Sequence, residues 1–342
     1  MHFADSENLL SAHARYAAAA ARACGYGFRS LDGADGYLFE VSDGARRALF
    51  AAGAGSPYAL NDARAASLAR DKAFCAEALT RAGLPALAGS KFFVTKRWAE
   101  MRGPGREPED ALAFARTAEY PIFCKPISAS NGLHAEVIAD FAAFEDYLAR
   151  VAREHFAILA QPYVRGAEYR VFVLEGRALF SYRKHLPAVI GDGSTPLRAL
   201  LEKLPREHGA PTRLGEAEAS LRRSPVGTAH DEAGRLVGLD TTPAPGARVS
   251  FEGPANRAAG GRASDLREGA GEPLAKLALA AADVLGLGLA GVDMFDLSPA
   301  RDLSELCVIE VNSNPMIKTL EDHGRWDLIV AIWRANFAAA LR

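Results

Sequence analysis

The sequence is poor in cysteine, and its cysteines are not paired. Cys24, Cys75, Cys124 and Cys307 stand far apart, with no Cys-x-x-Cys. Neither a disulfide framework nor a thiolate zinc site is expected, and the thiols read as buried and reduced. None of the eight histidines pairs with another at ligand spacing. Charge of one sign is also lacking: 40 Lys and Arg against 42 Asp and Glu leave −2. That near-balance removes the sequence-independent pull toward nucleic acid or an anionic membrane. No long hydrophobic run occurs. The most apolar stretch, 277–292, is interrupted by Asp283 and glycines, and is too short and too polar to span a bilayer. The first residues are acidic, without the basic start of a signal peptide. A cytoplasmic protein without nucleic-acid or membrane partners is expected.

What is present suits a packed globule. Hydrophobic residues make up 49% of the 342 and charged residues 24%, close to the globular average. The length allows one large domain or two to three small ones. Only eight of the 40 basic residues are lysine, so a lysine in a special place carries more information than usual.

Hydrophobic periodicity predicts an α+β chain. Residues 9–24 read as a helix. Short strands at 37–41 and 47–50 flank an Asp43-Gly44 turn, giving a small αββ piece. Asn61 or Asp62 can cap a helix running to about residue 82, ended by Gly83 and Pro85. Strands are expected at 91–95, 120–126, 134–138, 156–164, 169–174, 178–185, 289–297 and 306–311. Helices are expected at 109–119, 141–151, 274–285 and 320–341. Residues 205–248 are rich in Pro, Gly and charge, with one helical patch at 214–222. A stretch of that length reads as a functional loop or lid.

Three segments carry chemistry. In GVDMFDL and VIEVNSNP, the period of two puts Glu310 and Asn312 on one strand face, and a hairpin can bring Asp293 alongside. Three oxygen-bearing side chains among apolar residues suit a hard cation such as Mg²⁺; polar residues on a solvated sheet are the alternative. In YPIFCKPISASNGLHAE, Lys125 ends an apolar strand before a loop of small residues. A lysine so placed can pair with phosphate while loop N–H groups cover it; an exposed turn is the alternative. In ILAQPYVRGAEYRVFVLEGRALFSYRK, Glu168 follows a Gly turn, and Arg170 and Arg183 lie on successive strands. Such carboxylates and arginines bind ribose hydroxyls, carboxylates or phosphates; surface ion pairs are the alternative.

Taken in order, these blocks resemble the ATP-grasp carboxylate–amine ligases. The resemblance is nearest to the ATP-grasp portion of cyanophycin synthetase and of the bifunctional glutathione synthetases. It rests on DARAASLARDKAFCAEALTRAGLPA, CKPISASNGL, YVRGAEYRVFVLEGR, LPAVIGDGSTPLRALLE, FEGPANRAAGGRASDL and LAGVDMF, and runs from about Asn61 to Pro315. It implies an ATP-grasp fold, two α+β subdomains clasping ATP, after a short N-terminal αββ region. The implied parts are 1–88 as N-terminal region and leading helix, 89–163 as the small subdomain, and 164–342 as the large subdomain with its lid-like insertion at about 205–248.

The resemblance also implies roles. Lys72 and Lys125 would hold the ATP phosphates, with the loop bearing Ser128, Ser130 and Gly132 closing over them. The hinge bearing Gln161, Tyr163 and Val164 would receive the adenine, with Glu168 on the ribose. Asp293, Glu310 and Asn312 would hold one or two Mg²⁺. Asn256 and the Gly260-Gly261 turn would lie near the transferred phosphoryl group, and Arg170 in the acyl-substrate region. Several residues depart from the family pattern. His134 and Gln161 stand where relatives tend to have Gly and Glu. Arg257 stands where a small or apolar residue is usual. His185-Leu186-Pro187-Ala188 replaces an Arg-x-Pro-Ala, so a basic substrate contact is expected to move to Arg183 or Lys184. The N-terminal piece is shorter than the relatives' partner domains, and neither a C-terminal peptide-ligase-like domain nor a glutamate–cysteine ligase domain is expected. The implied activity is ATP-dependent amide or peptide bond formation through an acyl phosphate, between small-molecule carboxylate and amine substrates. Intramolecular cyclisation through the same acyl phosphate and a non-catalytic ATP-binding module are the alternatives. A homodimer stays open.

Overall fold

The computed structural model describes residues 8–53, 55–130, 132–202, 229–231, 236–251, 255 and 261–342. The lid expected at 205–248 and the positions of Asn131, Asn256, Arg257 and Gly260 lie wholly or largely outside these residues.

The N-terminal region begins with helix α1 (Ala12–Cys24), capped by the Ser11 hydroxyl and closed by Gly25 at φ 72°. Left-handed backbone is where glycine costs least. The expected αββ piece proves to have three strands rather than two. β1 (Gly27–Ser30), β2 (Leu38–Ser42) and β3 (Arg47–Ala51) form one antiparallel sheet. The strand missed is GFRS, with one clearly apolar residue, so alternation alone had too little to read.

The expected single helix from 62 to about 82 is two helices. α2 (Ala63–Arg70) is capped by Asp62 and stops at Asp71, whose carboxylate then caps α3 (Lys72–Arg81). An Asp that satisfies the first N–H groups of a new helix offers the chain a break. The break puts Lys72 at a helix start rather than within one.

The small sheet is antiparallel, in the order β4 (Ser90–Phe93), β7 (Ala157–Pro162), β5 (Ile122–Pro126), β6 (Glu136–Ile138). Helices α4 (Pro108–Thr117) and α5 (Phe141–Val151) cover one face. The core there holds Phe92, Ile122, Phe144, Tyr147 and Ile158.

The large sheet is also antiparallel. Its order is β14 (Arg262–Glu268), β9 (Arg177–His185), β8 (Ala167–Leu174), β15 (Leu289–Asp296), β16 (Leu306–Asn312). One face packs Val171, Val173, Val292 and Val311 against α2, α3 and α7 (Glu272–Leu285). The other face packs Phe172, Leu174, Phe180 and Leu289 against α1, the N-terminal sheet and α9 (Trp326–Ala340), which follows the short α8 (Lys318–Asp322). A minor sheet lies between β9 and β14 in the chain, with strands β10 (Ala188–Ile190), β11 (Ala229–His230), β12 (Leu236–Val237) and β13 (Arg248–Phe251). Helix α6 (Leu197–Glu202) lies beside it. No helix among the described residues is long and apolar enough to cross a membrane. Of the cysteines, Cys75 and Cys124 are buried, while Cys24 and Cys307 are partly exposed; all four are free.

Candidate active site

Cross-strand register builds the site. Arg170 on β8 pairs with Tyr182 on β9 and with Asp293 on β15, and Asp293 pairs with Glu310 on β16. Residues directly opposite in a ladder project to the same side. One row across the sheet therefore carries Tyr182, Arg170, Asp293 and Glu310. The next row outward carries Lys184 and Glu168. The next row inward carries Phe180, Phe172, Gly291 and Asn312, where the hydrophobic core begins. Gly291 leaves that corner narrow: a Cβ there would lie 2.7 Å from Pro315 Cβ and 3.7 Å from Arg170 Nε.

The hairpin expected from the two late strands is present, and it does bring Asp293 beside Glu310. The three oxygen-bearing side chains sit unequally. Arg170 grips Asp293 with two hydrogen bonds, Nε to Oδ1 at 2.6 Å and Nη2 to Oδ2 at 2.5 Å. Lys184 Nζ stands 3.5 Å from Asp293 Oδ2 and pairs closely with Glu168. Glu310 Oε2 lies 3.9 Å from Lys72 Nζ, and its Oε1 accepts from Asn312 Nδ2 at 3.2 Å.

A second wall comes from other elements. Lys72 starts α3; its backbone N–H donates to Ile127 O at 2.9 Å and its ammonium to Ala129 O at 2.7 Å. The lysine thus holds the small-residue loop after β5 by both backbone and side chain. Lys125, at the end of β5, is buried at 5% exposure. Ser128 and Ser130 are exposed and Gly132 is half-buried with φ 71°. Gln161 on β7 is buried and donates Nε2 to Leu87 O at 2.5 Å, while its Oε1 has no hydrogen-bond partner. Tyr163 and Val164 are half-buried in the strand-to-strand connection that follows.

The electrostatics follow from burial and neighbours. Burial alone would raise the Glu310 carboxyl, but Lys72, Lys125 and Lys184 outweigh it and hold its pKa down to about 2. Burial lowers Lys125 and a neighbouring Lys72 adds to this, with Glu310 opposing. Glu168 is raised by burial against the pull of Lys184. Lys184 moves upward: burial opposes this, but Asp293 and Glu168 prevail. Four cations (Lys72, Lys125, Arg170, Lys184) thus face three carboxylates (Glu168, Asp293, Glu310) in one place. Such a cluster can pair with an anionic group through its cations and with a cation through its carboxylates.

One expected residue falls elsewhere. Arg183 pairs in the ladder with Tyr169, so alternation turns it to the opposite face from Arg170. Lys184, the other candidate for the moved basic contact, faces the site. Asn256 lies outside the described residues. Tyr182 joins the row without having been expected; its position opposite Arg170 depends on strand register, which no local pattern encodes.

No family model matches the chain. The glutathione biosynthesis bifunctional protein of Streptococcus agalactiae serotype V is 26% identical over 223 residues, 60% of this chain. The cyanophycin synthetase of Geminocystis herdmanii is 26% identical over 256 residues, 72% of this chain. The chain is related to both. It spans 28% of the length of each of these relatives. Among solved structures, a bifunctional glutathione synthetase from Pasteurella multocida is 21% identical, with a TM-score of 0.49, covering 94% of this chain and 44% of that one. The sequence similarity bears out the resemblance read from the six sequence blocks.

Proposed function

We propose that this chain is an ATP-dependent carboxylate–amine ligase. The observation that carries the reading is the convergence of Lys72 and Lys125 on the sheet end bearing Glu168, Arg170, Lys184, Asp293, Glu310 and Asn312. A carboxylate is a poor acyl donor, because its leaving group would be oxide. Transfer of the γ-phosphoryl group of ATP to it gives an acyl phosphate and ADP, and attack by an amine then yields amide and phosphate.

The residues fit the roles assigned to them by resemblance. The unpartnered Gln161 Oε1 is a buried acceptor, and such an atom suits an N–H donor such as the adenine amino group. Glu310 and Asn312 offer oxygens to a hard cation, and Asp293 can add a lone pair beside those engaged by Arg170 and Lys184. Bound there, Mg²⁺ would neutralise phosphate charge. The protein's own part is to position the reactants and to balance spreading negative charge with preorganised cations. Lys72 and Lys125 stand on the phosphate side, the backbone N–H groups of the loop after β5 cover it, and Lys184 shares Glu168 with the ribose. Arg170 is fixed by Asp293, which leaves the rest of its guanidinium edge to meet a substrate carboxylate.

Phosphate release from ATP and Mg²⁺, screened with amino acids and dipeptides in pairs, tests the reading. Mass spectrometry identifies the product. A ligated product equals its two substrates less one water; a cyclised one equals a single substrate less one water. Absence of nucleotide binding by calorimetry would remove the proposal.

A further inference from the structure

We infer that His134, Glu154 and His155 form a binding site for a transition-metal cation of the Zn²⁺ class, separate from the oxygen-rich site at Glu310. The three residues are distant in the chain from Asp293 and Glu310 and belong to the small-sheet side of the molecule. His134 stands in the turn after the loop that Lys72 holds, and Glu154 and His155 follow the end of α5.

His134 is held there at a cost. Its φ is 51°, a left-handed conformation uncommon among residues other than Gly, although His, with Asn and Asp, is among those found there most often. Tyr147 Oη donates to its carbonyl at 2.9 Å, and Ala135 N–H donates to Gly132 O at 3.0 Å. The ring is buried, with 8% of the side chain exposed. Its Nε2 is buried without a hydrogen-bond partner, an arrangement that native proteins seldom leave unsatisfied. That nitrogen points toward Glu154 Oε2, 4.0 Å away. The His155 ring lies edge-on to it, with centroids 5.3 Å apart and planes at 80°.

One donor atom from each of the three residues lies within 4.8 Å of the others. Zn²⁺ ligands at about 2.0–2.2 Å in a tetrahedron stand roughly 3.4 Å apart. The closure required is small, and Glu154, the most exposed of the three, can swing to make it. Behind His134, Nδ1 stands 3.9 Å from Glu136 Oε1, and Arg150 holds that carboxylate with two hydrogen bonds of 2.9 and 2.7 Å. At that distance Glu136 is a fixed negative charge beside the ring, which favours a cation at the site. Two imidazoles and one carboxylate select a borderline cation over Mg²⁺ or Ca²⁺. A cation bound here ties the turn after the Lys72-held loop to the chain leaving α5.

Calorimetric titration of the full chain with Zn²⁺ tests the site, with Mg²⁺ in excess to occupy the oxygen-rich site. The expected result is saturable binding of one Zn²⁺ per chain. Glu154→Gln and, separately, His155→Gln should each weaken it at least about tenfold, with an unchanged circular dichroism spectrum. Co²⁺ in place of Zn²⁺ should show the intense visible absorption of a tetrahedral site. Absence of saturable binding, or equal affinity in the wild type and the exposed-residue variant Glu154→Gln, overturns the proposal.

Discussion

The two ends of one face of the large sheet share strands and orientation, and differ most in side-chain chemistry. At the inner end, Phe172 stacks on Phe180 with centroids 4.9 Å apart, and the cluster continues through Leu289 to Trp333 and Phe337. At the outer end, one and two rows away, stand Arg170, Asp293, Glu310, Glu168 and Lys184. Antiparallel ladders run through both ends, with one irregularity between Phe172 and Val173 at the inner end and one between Asp293 and Met294 at the outer end. What changes is how each end treats a titratable group. The inner end holds His13, pressed edge-on against Tyr58 and Trp333, and burial drives its pKa down to about 4, so it stays neutral. The outer end holds Glu310 charged, with its pKa near 2, because lysines surround it. Burial without a partner removes charge; burial among opposite charges keeps it.

The largest effect should come from cutting the inner end. Phe172→Ala removes a fully buried ring and should cost about 3–5 kcal/mol of stability. Urea denaturation measures it. Nucleotide affinity of the remaining folded protein should be nearly unchanged; a large loss of affinity would mean the two ends are not independent.

Next comes pH. Above about 6.5 His13 is neutral in both folded and unfolded chains, so its contribution is complete there. As pH falls from 6.5 to 4 the unfolded chain takes up a proton that the folded chain refuses, and about 3 kcal/mol is lost. Glu310 acts in a lower window: its depressed pKa adds stability above about 4.5, and this is lost as pH falls toward 2. His13→Gln should flatten the stability profile between pH 6.5 and 4 and leave the lower window in place. A profile unchanged in the upper window would show that His13 is charged in the fold.

At the outer end, Glu310→Gln and Asn312→Ala should each lower ATP turnover at least about a hundredfold, with circular dichroism spectra unchanged, although Glu310→Gln also gives up the stability its charged carboxylate adds above about pH 4.5. Steady-state phosphate release measures this. Ordinary turnover with Mg²⁺ in both variants would show that the metal is held elsewhere. The smallest of these effects is expected for Lys125→Ala, a loss of nucleotide affinity of about tenfold. Calorimetry decides between that loss and the neutral result of a mere turn residue.

Much of the architecture was legible because alternation and capping are local. The hairpin of Asp293 and Glu310 follows from period-two strands and a polar turn, and the strand ending in Lys125 from an apolar run before Pro126. Local signals failed where they were weak or rivalled. GFRS is too short to alternate clearly, and Asp71 both ends one helix and caps the next. Spacing along the chain also hid His134 and His155, which meet because β6 and α5 fold back on each other.

By itself, then, the sequence determined the α+β class, most of the elements, and the set of Lys, Arg, Asp, Glu and Asn residues with chemistry to offer. These are carried by patterns within a few residues, where sterics and hydrogen bonding act. The tertiary structure alone decided partners. It turned Lys184 toward the site and Arg183 away, set Arg170 on Asp293, and brought Lys72 to Glu310. Those choices depend on register and on packing between segments far apart in the chain. A shift of one residue in a strand exchanges its two faces, and only the burial of the whole inner end fixes that register.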